Sequence, residues 1–150
     1  RARFLYTLPS KVKSCKELLK HLKGKTLVFG KDSKCLLQIC STSIVSENPN
    51  YVQDLADFKA GKTNVASANR ILKQGENIPL LDNVIITAYY SKSTDFQQII
   101  GRLRTDMPNG NVIIYKSQGT QEEKWFDKMI EGLNEPFIYC SNLSQLLSKL

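Results

Sequence analysis

Residues 83–88 read Asn-Val-Ile-Ile-Thr-Ala, and this run decides the fold. Three β-branched apolar residues follow one another with no polar alternation, the pattern of a strand covered on both faces. Such strands belong to parallel sheets held between helices. Working outward, Thr26–Phe29, Ser43–Val45, Asn64–Ser67 and Asn111–Tyr115 read as further short strands, and Phe137–Tyr139 is a candidate sixth. Helical spacing fills the intervals. Pro9-Ser10 opens a helix carrying Val12, Cys15, Leu18, Leu19 and Leu22, closed by Gly24. Asp32 or Ser33 caps a second helix with Cys35, Leu36, Ile39 and Cys40, and residues 51–60 place Val52, Leu55 and Phe58 on one face. A helical turn is expected at Ile71-Leu72, and helices at 95–104, 121–133 and 142–150. The alternation predicts a three-layer α/β domain with a wound, mainly parallel sheet, whose working loops lie at the carboxyl ends of the strands.

Composition fits that reading. The chain has 150 residues and 17.0 kDa, with 41% hydrophobic and 23% charged residues. This is one domain, 1–150, with enough apolar content to hold a core without metals or disulfides. It is not the composition of a disordered tail, and no apolar run approaches the ~18 residues of a membrane span. Arg1-Ala2-Arg3 is not a natural start and no signal peptide follows, so the chain reads as a piece of a longer cytoplasmic protein, with 1–9 linker-like. Cys15, Cys35, Cys40 and Cys140 form no C-x-x-C pair and His21 is the sole histidine, too little for a zinc site. The cysteines read as reduced thiols, most of them in apolar positions.

The net charge of +7 is unevenly placed. Residues 1–34 hold ten of the twenty-one Lys and Arg against only Glu17 and Asp32, while the remainder is close to neutral. A basic concentration on a neutral background suits a polyanion; a solvated helix face would look the same.

Three clusters fall at the carboxyl ends of strands. Lys25-Thr26-Leu27-Val28-Phe29-Gly30-Lys31 is a strand running into a turn. Val65–Pro79, VASANRILKQGENIP, is a strand followed by a corner in which Gly75 permits a bend or close approach and Pro79 stiffens the exit. Gln98-Ile99-Ile100-Gly101-Arg102-Leu103-Arg104 sets two guanidinium groups, the bidentate partners of phosphate, beside a glycine.

In this order the clusters resemble the second, C-terminal RecA-like domain of superfamily 2 helicases and translocases. Lys25–Gly30 resembles motif IV. Val65–Pro79 aligns without a gap on motif V, whose usual form is A-T-x-x-x-x-x-G-x-D-x-P, and Gln98–Arg104 resembles motif VI, Q-x-x-G-R-x-x-R. Asp57-Phe58-Lys59-Ala60-Gly61 matches the F-x-x-G helix end that often precedes motif V. Beyond motif VI, Val112–Lys116 and Gly119-Thr120-Gln121-Glu122-Glu123-Lys124 resemble a stretch of Snf2-type translocases, of a phage or bacterial kind.

The resemblance implies a domain that completes an ATP site formed mainly by an N-terminal RecA-like domain, which would bring ATP and Mg²⁺. Neither the phosphate-cradling G-x-x-x-x-G-K-S/T loop nor a D-E-x-x pair occurs in this chain. On this pattern Arg102 contacts the terminal phosphate. Arg104 is the second candidate, because the family's last arginine falls on Thr105. Gln98 and Gly75 belong to the nucleotide side, and Asn77 stands where the family places an Asp that meets the ribose. Gly30, Lys31, Ser33, Asn69 and Arg70 are expected to meet the nucleic-acid backbone, with DNA favoured over RNA. Tyr89-Tyr90 either close the core or line the cleft between domains, and Trp125 and Phe126 read as core. The competing reading is a non-catalytic nucleic-acid-binding module, a degenerate helicase half.

Overall fold

The apolar runs form strands, and consecutive side chains along each strand enter opposite cores. The computed structural model describes residues 9–69, 81–89, 110–131 and 137–150. In chain order the elements are α1 (Pro9–His21), β1 (Lys25–Phe29), α2 (Ser33–Ile39), β2 (Ser43–Ile44), α3 (Tyr51–Lys59), β3 (Val65–Ala68), β4 (Leu81–Ile86), β5 (Asn111–Ile114), α4 (Gln121–Ile130) and α5 (Leu143–Leu147). The five strands form one parallel sheet in the order β2-β3-β1-β4-β5. Leu27 of β1 stands between Ala66 of β3 and Val84 of β4, which fixes the register at the centre.

Leu27, Phe29, Val84 and Ile86 enter one core with Phe58 of α3 and Phe126 and Met129 of α4. Val28, Ile85 and Ile113 enter the other with Cys15 and Leu18 of α1 and Leu36 of α2. The sheet is thus covered on both sides, as the unalternating strands predict. Each large side chain removed from water contributes about 1.5–3 kcal/mol before the cost of ordering it.

Local chemistry sets the boundaries. Asp32, rather than Ser33, is the N-cap of α2, its Oδ1 accepting the Cys35 N–H at 3.0 Å. The F-x-x-G helix end is a C-terminal cap: Gly61 has φ +80°, its N–H donates to the Phe58 carbonyl, and the Lys62 N–H donates to Asp57. Phe58 just before it is fully buried. Thr120 caps α4 through the Glu122 N–H, so the Snf2-like G-T-x-E-E stretch acts here as a helix start.

Three expectations need adjusting. Phe137–Tyr139 adds no strand; Phe137 and Tyr139 lay their rings against Phe126, 5.7 and 6.2 Å between centroids, so this segment covers α4 instead of extending the ladder. The α4 helix ends at Ile130, with Glu131 as its cap. The final helix is shorter than read, Leu143–Leu147. The turn at Ile71-Leu72 and the helix at 95–104 lie outside the described residues. None of the four cysteines is in a disulfide; Cys15 and Cys40 are core residues, while Cys35 and Cys140 are half-buried.

Candidate nucleic-acid interface

The direction of winding reverses between β1 and β4. From β1 the chain moves toward β2 at one edge, and from β4 toward β5 at the other. The carboxyl ends of these two neighbours therefore border the crevice where wound sheets take ligands.

Hydrogen bonds tie this rim together. The Thr87 N–H and its Oγ1 both donate to the Phe29 carbonyl, at 2.9 and 2.8 Å, and the Gly30 N–H donates to Ala68 at 3.2 Å. Gly30 is buried. A Cβ on it would stand 2.7 Å from Thr87 Oγ1 and 2.9 Å from Leu36 Cδ2, so close packing, not backbone freedom, demands glycine here. With its N–H already engaged, Gly30 serves the rim as a thin spacer.

Behind Gly30 the chain passes through exposed Lys31 to Ser33 at the start of α2. Partial burial lowers the Lys31 ammonium from its ordinary value. Asn69, which follows β3, donates from Nδ2 to Ser33 Oγ at 3.0 Å. Ser33, which follows the motif IV strand, and Asn69 of the motif V segment, 36 positions apart, thus meet side chain to side chain. Ser33 accepts in this bond, which leaves its hydroxyl hydrogen as a donor. Lys31, Ser33 and Asn69 together offer one ammonium, one hydroxyl and one amide at a rim, a set suited to phosphate oxygens. Gly75, Asn77, Gln98, Arg102, Arg104 and Arg70 lie outside the described residues, and so does Tyr90. Tyr89 is 2% exposed and donates to the Tyr115 carbonyl at 2.6 Å; it closes the core and does not line a cleft. Phe126 is buried and Trp125 packs on the same core, as read.

The sequence reading missed Lys11, Thr87 and Glu122. Lys11 of α1 is 6% exposed and Glu122 of α4 is 0% exposed; the two are paired directly at the rim, and Lys11 Nζ also donates to the Thr87 carbonyl at 3.2 Å. The second Glu122 oxygen accepts the Ser117 N–H at 2.8 Å. Burial pushes the Lys11 ammonium down, opposed by its bond to Glu122. The signal was present. Lys11 shares its helical stripe with Cys15 and Leu18, and Glu122 with Phe126 and Met129; a charge on each apolar stripe asks for a partner.

Among the described residues no group of three or more His, Cys, Asp or Glu stands together to hold a metal ion. No helix among them is long and apolar enough to cross a membrane.

No protein-family model matches the sequence, and no curated protein matches it. Solved structures do match. The C-terminal domain of S. cerevisiae Dbp5, bound to Gle1 and IP6, superposes with a TM-score of 0.73 at 14% identity, covering 93% of this chain and 89% of that one. The E. coli DEAD-box protein SrmB, bound to RraA, gives 0.62 at 15% identity over 83% and 82% of the two chains. Domain 2 of the DEAD-box helicase Mss116p, bound to an RNA duplex, gives 0.60 at 14% identity over 89% of this chain and 57% of that one. The chain has the fold of the second RecA-like domain of superfamily 2 helicases.

Proposed function

We propose that this chain is the C-terminal motor domain of an ATP-dependent nucleic-acid helicase or translocase. It closes on an N-terminal RecA-like domain, supplies Arg102 and Arg104 to the ATP site between them, and grips the nucleic-acid backbone at the carboxyl edge of its sheet. One observation carries the reading: Ser33, just past the motif IV strand, and Asn69, in the motif V segment, join at the rim of a fold shared with helicase domains. Lys31, Ser33 and Asn69 orient phosphates there, and the tied rim of Phe29, Thr87 and Ala68 keeps the grip rigid while the domains open and close. When bound, ATP with Mg²⁺ supplies the driving reaction, and the partner domain holds most of it. Gly75, Asn77 and Gln98 are assigned to its nucleotide side on the motif pattern alone.

The sequence favours DNA, but nothing in the fold supports that preference. The neighbours whose descriptions specify a nucleic acid specify RNA, in the Mss116p complex and in a hypothetical ATP-dependent RNA helicase from Sulfolobus tokodaii. RNA is therefore the first substrate to test.

The test is made in the longer protein that contains this chain. Its sequence ahead of Arg1 should hold a Walker-type loop, roughly one α/β domain upstream. Arg102→Ala should lower nucleic-acid-stimulated ATP hydrolysis by about 10³-fold, the scale of an arginine-finger loss, with RNA binding kept. Turnover equal to the wild type would refute the assignment of Arg102. A protein that binds RNA and shows no ATPase at all favours the non-catalytic module, whose motive is Asn77 and Thr105 at positions where the motifs hold Asp and Arg.

A further inference from the structure

The basic surplus near the start of the chain has a definite place in the fold. The α1 and α2 helices lie side by side on one face of the sheet, sharing the core of Cys15, Leu18, Leu36 and Cys40. Residues of both helices line an open groove of about 720 Å³. Its walls carry Lys13, Lys16 and Lys20 of α1 and Lys34 of α2, with Glu17 and Asp32 as the acidic members. Glu17 accepts from Lys20 at 3.2 Å and offsets that lysine, and Asp32 caps α2, so four ammonium groups stand against two carboxylates. The surplus is ammonium, on exposed side chains.

Two further features select the occupant. Lys13 to Lys20 span about 10 Å along the helix axis, a reach of two or three successive phosphates on a strand. The groove also continues into the rim: Val12, Asp32 and Cys35 line both it and the small pocket beneath Gly30 and Lys31. An anion that leaves the rim past Lys31 meets the groove next. An extended polyanion fits this geometry, since the groove is open to solvent and lined by point charges.

We propose that the α1–α2 groove is a second phosphodiester track, which carries the nucleic-acid strand onward from the Lys31–Ser33–Asn69 rim. The proposal rests on the reading that the chain binds nucleic acid at that rim, and its test separates the two. Fluorescence anisotropy measures binding of labelled oligouridylates of about 6 and about 18 nucleotides across a salt series. The groove variant is Lys13→Gln/Lys16→Gln/Lys34→Gln; the rim variant is Lys31→Gln/Asn69→Ala. The groove variant should bind the short oligomer within about twofold of the wild type. On the long one its salt slope should fall by about 2, so that its affinity ratio between about 50 and 200 mM salt shrinks by roughly tenfold. Lys13→Arg/Lys16→Arg/Lys34→Arg keeps the charge and should bind the long oligomer as the wild type does. Long-oligomer binding unchanged in the groove variant overturns the track, as does equal loss on both lengths or loss in the arginine variant. A rim variant that binds both lengths normally, beside a groove variant that loses the long one, sinks the rim reading and overturns the groove as a continuation of it. A wild type that binds neither oligomer overturns both.

Discussion

Removing one member of the Lys11–Glu122 pair should destabilise the fold far more than removing both. The pair is dry, with Lys11 6% and Glu122 0% exposed. In Lys11→Met the Glu122 carboxylate keeps, among the described residues, only the Ser117 N–H, and the Thr87 carbonyl loses its lysine donor. An uncompensated buried charge of this kind costs about 3–5 kcal/mol. In Glu122→Gln the amide oxygen still accepts from Ser117, but its NH₂ confronts an ammonium left with the Thr87 carbonyl, a loss of similar size. The double variant Lys11→Met/Glu122→Gln buries no charge and preserves the Ser117 bond. It should recover at least about 2 kcal/mol relative to the sum of the singles. Urea unfolding followed by fluorescence reads this out, because the chain's one tryptophan, Trp125, stands on α4 within a turn of Glu122. The coupling should also be nearly insensitive to salt, since screening acts weakly on buried pairs. Additivity within about 0.5 kcal/mol would refute the argument that these side chains form one desolvated unit.

Other outcomes follow from the same packing. Gly30→Ala places a methyl group 2.7 Å from Thr87 Oγ1 and should cost about 1–3 kcal/mol in denaturant unfolding; Thr87→Ala in the same chain, which removes the obstructing oxygen, should return part of that loss. Stability should fall in alkali. Burial raises the Cys15 and Cys40 thiols from 9.0 to about 12, so above pH 9 the unfolded chain releases protons that the folded one retains. The stabilisation is whole below pH 9 and is lost toward pH 12, by up to about 1.4 kcal/mol per pH unit for each thiol. Tyr115, raised by burial from 10.0 to about 12, adds to the fall above pH 10. Lys11, lowered by burial, works against it as pH approaches 10.5. Unfolding free energies measured from pH 8 to 10.5 should show the decline, and Cys15→Ala/Cys40→Ala should flatten it; an equal slope in that variant would place the cause elsewhere.

The sheet was legible because its strands are short apolar runs bounded by Gly, Asn and Pro, and doubly covered strands hardly admit another reading. Strand limits shifted by a residue or two: β3 runs through Ala68 and β4 begins at Leu81, because ladder partners rather than composition decide where a strand stops. Phe137–Tyr139 misled for a related reason. Its aromatic and β-branched residues suit a strand, yet Phe137 and Tyr139 lay their rings on Phe126 while Ile138 stays exposed. Ser33 and Asn69 were named from motif position alone; no spacing rule foretells that one donates to the other, since the contact depends on the β1–β3 pairing. Glu122 shows the opposite case, a residue noted only as part of a resemblance whose fold role was written in the apolar stripe it interrupts.

Lys11 beside Thr87 also fixes the polarity of the first helix, which starts at the carboxyl margin of the sheet and runs back beneath it. Whatever is joined ahead of Pro9 is thereby moored next to the crevice between β1 and β4.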